Sequence, residues 1–260
     1  MKVFKIDLPA TLPSIRIMAV ADHHWSDPNS NHKRIEEDLA FINDNDDVFC
    51  VLNGDLLDCA IASSVGDTYG SLSPMDELRE CVKLFKPIAE KGKVLCIVPG
   101  NHENRHYRTN GLDLTEIMAR QLCLEDRYSP TTAYLFIRFG ELKDRDNHHR
   151  KALYTMYVSH GNGGGRKEGG KIQRLVDLST ICDADIFVCG HTHLPALLKD
   201  GFVRPNSANS SITNCTRLYV NTSAKLNYGG YGETGGFKPP CLDTPIIWLN
   251  GSRKEMRATL

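Results

Sequence analysis

The chain has 260 residues, 41% of them hydrophobic and 24% charged. This is ordinary globular composition, with apolar residues enough for a sizeable core, and it excludes disordered, collagen-like and coiled-coil chains. Thirty-one basic against thirty-two acidic side chains leave a formal net charge of −1, so no global positive field gathers nucleic acid or an anionic membrane, and any such contact must be local.

Short apolar runs alternate with amphipathic segments along the chain. Ile15–Ala21 reads as a strand and stops at Asp22-His23-His24. Lys33–Asn43 carries helical spacing through Ile35, Leu39 and Ile42. Val48–Leu52 is a second strand, stopping at Asn53-Gly54-Asp55. A helix starts at Ser73-Pro74, a cap followed by proline at the first helical position, and runs to Gly92. Val94–Val98 is a third strand, ending at Pro99-Gly100-Asn101-His102, and Leu114–Leu122 is a shorter helix. Ala133–Phe139 and Ala152–Ser159 alternate and are separated by the charged segment Glu141–Lys151, as in an antiparallel pair with a wet loop. His160, a glycine-rich loop (Gly161–Gly170) and a helix near Lys171–Leu178 follow, then a strand Asp185–Cys189 ending at Gly190-His191-Thr192-His193. Leu218–Asn221 and Ile246–Leu249 are later strands, and residues 200–216 and 226–241 read as loops.

Helices between the early strands point to parallel pairing and the middle to antiparallel pairing. The expected fold is α/β, with two mixed β-sheets packed as a sandwich flanked by helices, in one domain over residues 1–260. Nine cysteines include no C-x-x-C pair, and several sit in apolar runs such as Val48–Leu52 and Val94–Val98, where a thiol behaves as a small hydrophobe. Their odd number, with no signal-peptide core and no membrane-length apolar stretch, leads to the expectation of a reduced, cytoplasmic protein without membrane contact.

Five strand ends deliver ligand-type residues: Asp22 and His24; Asp55 and Asp58; Asn101 and His102; His160; His191 and His193. A lone histidine at such a position is more often a cap, and an Asn-Gly or Gly-Asp pair is usually a turn. The concurrence of all five is not turn chemistry, because α/β sheets build sites where strand-end loops converge. Carboxylate oxygen, imidazole nitrogen and amide oxygen suit manganese, iron, zinc or nickel. The donors exceed what one ion needs. Two divalent ions sharing a carboxylate would use them, acidifying a bridging water and neutralising a phosphate.

In order, D-x-H (Asp22–His24), G-D-x-x-D (Gly54–Asp58), G-N-H-E (Gly100–Glu103), a solitary His160 and G-H-x-H (Gly190–His193) resemble the calcineurin-like metallophosphoesterase superfamily. The motifs span about two thirds of the chain with every signature position filled. The resemblance implies a four-layer fold and a dimetal phosphoesterase. It places Asp22, His24 and His193 on one ion, Asn101, His160 and His191 on the other, and Asp55 on both, with manganese the favoured metal. It makes His102 the acid that protonates the leaving group and Asp58 the carboxylate that orients it.

Where related protein phosphatases continue G-D-x-V-D-R-G, this chain has Cys59-Ala60, without the phosphate-gripping arginine. A phosphodiesterase acting on nucleotides or nucleic acid is therefore favoured. A phosphomonoesterase or phosphoprotein phosphatase is the alternative, and a non-catalytic scaffold a third reading. Arg105 and Arg166 are the candidate substrate contacts, against the plainer reading of solvated loops. The Gly161–Gly170 loop offers backbone N–H groups to an anion but lacks the G-K-[ST] of a P-loop. His160–Gly165 also resembles a stretch of phage-type phosphoesterases. The basic residues Arg138, Lys143, Arg145, Arg150 and Lys151, with His148 and His149, are diluted by Glu141, Asp144 and Asp146 and read as a solvated face. Tyr228, Tyr231 and Phe237 could stack bases, although glycine-aromatic loops are commoner as plain surface.

Overall fold

Alternation along the strands decides which layer each side chain joins. In a computed structural model that describes residues 1–64, 72–142 and 150–260, β1 (Lys2–Asp7), β2 (Ser14–Val20), β3 (Val48–Asn53) and β4 (Val94–Val98) precede β5 (Ala133–Leu142) and β6 (Arg150–Ser159). β7 (Ile186–Cys189), β8 (Ala196–Asn206), β9 (Ser211–Asn221), β10 (Ile246–Asn250) and β11 (Met256–Thr259) complete the strands. In β2 the residues Ile15, Ile17 and Ala19 face one cluster while Met18 and Val20 face another, and in β3 Phe49 and Val51 part company with Val48, Cys50 and Leu52 in the same way. Both faces of these strands are buried, which is why they read as unbroken apolar runs.

Two mixed sheets result. One has the order β1-β5-β6-β7-β9-β8 and the other β11-β10-β2-β3-β4. Pairing is parallel for β2–β3, β3–β4, β6–β7 and β7–β9, and antiparallel for β5–β6, β8–β9 and both pairs of β10. The inner faces enclose the largest core, where Ile15, Ile17 and Val51 meet Leu135, Tyr154, Met156 and Val188. The helices α1 (His32–Asp44), α2 (Pro74–Glu90) and α4 (Leu114–Gln121) cover the outer face of the five-stranded sheet through Ile35, Leu39, Phe85, Ile88 and Met118. Leu175 of α5 (Glu168–Asp177) packs on Tyr157 and Phe187 outside the six-stranded sheet. The α/β sandwich expected from the sequence is thus observed, with each layer held by burial worth about 1.5–3 kcal/mol per large apolar side chain.

Several elements differ from the sequence reading. Residues 200–216 are not loop; they belong to the long hairpin of β8 and β9, paired from Ala196↔Asn221 to Asn206↔Ser211. Asn101–Asn110 forms a helix, α3, where a strand-end loop was expected, and Gly230–Thr234 forms a short helix, α6, within the expected late loop. β1 and β11 were not anticipated at all. Of the charged segment in the middle of the chain, Lys143, Arg145, His148 and His149, with Asp144 and Asp146, lie outside the described residues, as does the side chain of Tyr231. Among the described residues, no helix is long and apolar enough to cross a membrane.

Candidate metal centre

The ligand-type residues follow the C-terminal ends of β2, β3, β6 and β7 and open helix α3, and hydrogen bonds tie the two sheets together at that edge. Asn53 donates from Nδ2 to the Ser159 carbonyl at 3.2 Å, and His160 Nδ1 donates to the Asn53 carbonyl at 2.7 Å. The second of these bonds directs Nε2 of His160 inward. The strand ends therefore meet as one crevice built from both sheets.

Within it, three groups of donor atoms converge, each group with its atoms within 4.8 Å of one another: Asp22, His24 and His193; Asp55, His160 and His191; and His24, Asp58 and His102. In the first, His193 Nε2 lies 3.4 Å from both Asp22 Oδ1 and His24 Nε2. In the second, His160 Nε2 is 3.1 Å from Asp55 Oδ2, while Asn101 Oδ1 is 3.2 Å from His160 Nε2 and 2.6 Å from His191 Nδ1. Asn101 thus lies beside this group. In the third, Asp58 Oδ1 is 2.9 Å from His102 Nδ1 but 3.6 Å from His24 Nδ1. All nine residues expected at the site are together, and Asp55 stands between His160 and His102, with its Oδ2 3.9 Å from His102 Nε2.

The backbone is bent to achieve this. Asp22, His24, Asp55, His191 and His193 all have left-handed φ, between +47° and +67°. Such a conformation costs a non-glycine residue about 1–3 kcal/mol and persists only where the surroundings over-determine it. Close approach is needed as well: a Cβ on Gly54 would lie 2.4 Å from the Gly100 nitrogen, and one on Gly100 would lie 2.1 Å from Asp55 Oδ1. No larger residue fits between the β3 loop and the start of α3.

Two buried glutamates that sequence reasoning left without a role organise the loops. Glu103 Oε1 accepts the backbone N–H groups of Leu56 and Leu57 at 2.8 and 3.0 Å, and Oε2 accepts those of Asp55 and Gly100 at 3.1 and 2.8 Å. Glu77 of α2 accepts from the backbone of Ser26, Asp58 and Cys59 and from the Cys59 thiol. Glu103 stands inside G-N-H-E, so a motif signal existed; Glu77, midway along a charged helix, gave none. Thr222 Oγ1 donates to Asp22 Oδ2 at 2.9 Å, and the His191 N–H donates to Asp22 Oδ1 at 3.1 Å, orienting that carboxylate.

Burial works against charge throughout the crevice, and the neighbours decide the outcome. For Asp55, burial is outweighed by His160 and His102, and its carboxyl titrates well below the usual range. Asp22 is likewise lowered, by His193 and His160 against burial. Burial would keep His160 neutral, but Asp55 and Asp22 push it up to about 10. His24 is lowered by burial and by His102, and His191 by burial and His160. For His102, burial is overcome by Asp55 and Asp58, and the net shift is upward. Glu103 is raised by burial and by Asp55.

Facing imidazole nitrogens, such as those of His24 and His193, together with carboxylate and amide oxygens aimed at common points, fit a divalent cation better than they fit one another. The donors are hard or borderline and no thiolate joins them; the Cys59 and Cys189 sulfurs turn to Glu77 and to backbone carbonyls.

The two candidate substrate contacts part ways. Arg105 Nη2 lies 2.8 Å from His102 Nε2, at the crevice. Arg166 donates to the Gly235 carbonyl at 2.8 Å with its guanidinium over the Phe237 ring, and so ties the glycine-rich loop to the late segment. The cavity of about 610 Å³ lined by Lys2, Tyr107, Arg108, Asp113 and Tyr128 is a separate feature that includes none of the expected site residues.

A family model described as calcineurin-like phosphoesterase matches residues 15–195. No curated protein matches the chain. Among solved structures, a conserved uncharacterized protein of Streptococcus pneumoniae TIGR4, described as a predicted phosphoesterase, is similar at 14% identity and a TM-score of 0.38, over 95% of this chain and 90% of that one. GAP50, described as the anchor in the inner membrane complex of Plasmodium, is similar at 9% identity and a TM-score of 0.43, over 94% and 83%.

Proposed function

The chain belongs to the calcineurin-like phosphoesterase family, and from that membership and the crevice we propose that it is a metal-dependent hydrolase of phosphate esters, with phosphodiesters of nucleotides or nucleic acid its favoured substrates. The observation that carries the reading is the convergence of two donor groups in one crevice, Asp22, His24 and His193 in one and Asp55, His160 and His191 in the other, each with its donor atoms within 4.8 Å of one another. Asp22, His24 and His193 would hold one divalent ion, Asn101, His160 and His191 a second, and Asp55 would serve both. When bound, such ions neutralise phosphate charge and lower the pKa of water to give a nucleophile near neutral pH.

The protein's own groups supply the rest. His102 stands beside Asp55 without belonging to either expected ligand set, which suits it to give a proton to the departing ester oxygen. Asp58 takes the Nδ1–H of His102 through both its side chain and its carbonyl, so Nε2 is the atom turned toward the reacting group. The residue after Asp58, Cys59, points its thiol inward to Glu77, so no cation reaches substrate from that position. This separates the site from the protein-phosphatase pattern and supports the diester reading.

The test is to strip the protein of metal, restore manganese, and compare hydrolysis of an aryl phosphodiester with that of its monoester, with Asp55→Ala as control. Manganese-dependent diester cleavage that vanishes in Asp55→Ala is expected. Monoester preference would make the protein a phosphatase, and inactivity on both with a full metal content would leave only a scaffold.

A further inference from the structure

We propose that Arg105 is the phosphate-gripping residue of this site, and that it leaves His102 Nε2 when a substrate phosphate arrives. The inference rests on the phosphoesterase reading and concerns how that site takes its substrate.

Arg105 lies in α3, three residues after His102 and four after Asn101, so all three side chains share one helix face. Its Nη2 is 2.8 Å from His102 Nε2, and its Nη1 is 3.1 Å from Ser64 Oγ and 3.4 Å from the Asp58 carbonyl. Each of these acceptors is a neutral atom. Several other arginines are paired with carboxylates: Arg16 with Asp47, Arg120 with Glu116, and Arg204 and Arg217 with Asp183, while Arg166 and Arg174 are bonded to backbone carbonyls of the glycine-rich and late segments. Among the described residues, Arg105 is held by no carboxylate. A half-buried guanidinium facing the crevice without a counter-ion matches the paired non-bridging oxygens of a phosphate ester, which the planar fork can take together.

Its resting contact has a further meaning. A guanidinium cannot accept a hydrogen bond, so the Arg105–His102 contact makes Nε2 the acceptor. An Nε2 so engaged cannot donate to a leaving oxygen. The productive arrangement therefore needs Arg105 elsewhere, and charge-assisted bonds to a phosphate are about twice as strong as those to neutral acceptors. Arrival of the anion draws the fork away from the imidazole and leaves Nε2 open to take a proton from water, which it then holds facing the ester. One residue thereby links occupancy of the site to readiness of the acid.

The experiment measures the dissociation constant of inorganic phosphate for the manganese-loaded protein by calorimetry, with metal content determined in every sample, for the wild type, Arg105→Gln and Arg105→Lys. Arg105→Gln should keep both ions and bind phosphate about 10- to 100-fold more weakly, with kcat/KM for an aryl phosphodiester falling in step. Arg105→Lys, which keeps the charge but not the fork, should lie between the two. Phosphate affinity within twofold of wild type in a fully loaded Arg105→Gln protein would overturn the proposal, as would a wild type that binds no phosphate. If Arg105→Gln fails to load metal, Arg105→Lys decides: equal metal loss marks a structural arginine, and so does full loading with unchanged phosphate affinity. A wild type that binds phosphate yet hydrolyses no ester would sink the phosphoesterase reading alone, since the binding comparison still stands.

Discussion

His102 Nδ1 lies 2.9 Å from both Oδ1 and the carbonyl oxygen of Asp58, so a single residue fixes the imidazole from two directions. The arrangement leaves Nε2 as the only ring nitrogen able to serve a substrate. His102→Ala should keep its metal and lose about 10²- to 10⁴-fold in kcat, the range that a positioned proton donor contributes. The loss should be greatest for esters with poor leaving groups, which depend most on protonation. A leaving-group series on metal-analysed protein checks this; a uniform loss across the series would remove His102 from the acid role.

Glu103 should matter to stability although it touches no reacting atom. It accepts four backbone N–H groups from the two loops that carry Asp55 and Asn101. Glu103→Gln replaces one oxygen with an NH₂ group, which would then confront donors. Leaving buried donors unsatisfied costs about 1–3 kcal/mol each. Urea denaturation should show a loss of about 2–5 kcal/mol, and metal should bind more weakly because the Asp55 loop loses its anchor.

The protonation of His160 gives the metal-free protein a distinctive pH dependence. Its folded pKa of about 10 exceeds the unfolded value of 6.5. The stability it adds is therefore complete below about pH 6.5 and is lost as pH rises through about 10. Thermal denaturation of metal-free protein should show this fall, flattened in His160→Gln. Metal ligation requires the neutral imidazole. Loading at pH 8 should thus release about one proton per chain from this residue, read with a pH indicator in weak buffer.

The nine cysteines should sort by depth. Cys123 and Cys241 are exposed and Cys182 and Cys215 intermediate, while Cys50, Cys59, Cys81, Cys96 and Cys189 are buried. Burial pushes the thiols of all five buried residues upward, that of Cys189 to about 12. A colorimetric thiol reagent should therefore label the two exposed residues rapidly and the five buried ones only on unfolding. Early labelling of Cys96 or Cys50 would contradict the packing of β3 and β4.

Much of the site was legible because strands buried on both faces end abruptly in sequence. Val48–Leu52 is wholly apolar and the next residues are Asn53-Gly54-Asp55, so the strand end and the ligands announce each other. Helix α3 was not legible, because Glu103 is its only buried residue and no apolar period marks it. The β8–β9 hairpin was missed for a related reason: from Lys199 to Thr216 its residues are exposed or nearly so, and neither face alternates. The task of Glu77 depends on α2 packing beside two distant loops, a relation that no local pattern encodes.

The left-handed backbone at Asp22, His24, Asp55, His191 and His193 sets endurance against activity at single positions. Glycine at any of them would remove a donor and at the same time free the chain from an unfavourable torsion. In chelator, such a variant should melt no lower than the corresponding alanine variant, which loses the donor but keeps the torsional penalty. Selection for durability alone would erode these five residues toward glycine, and only a requirement for the ions would hold them in place.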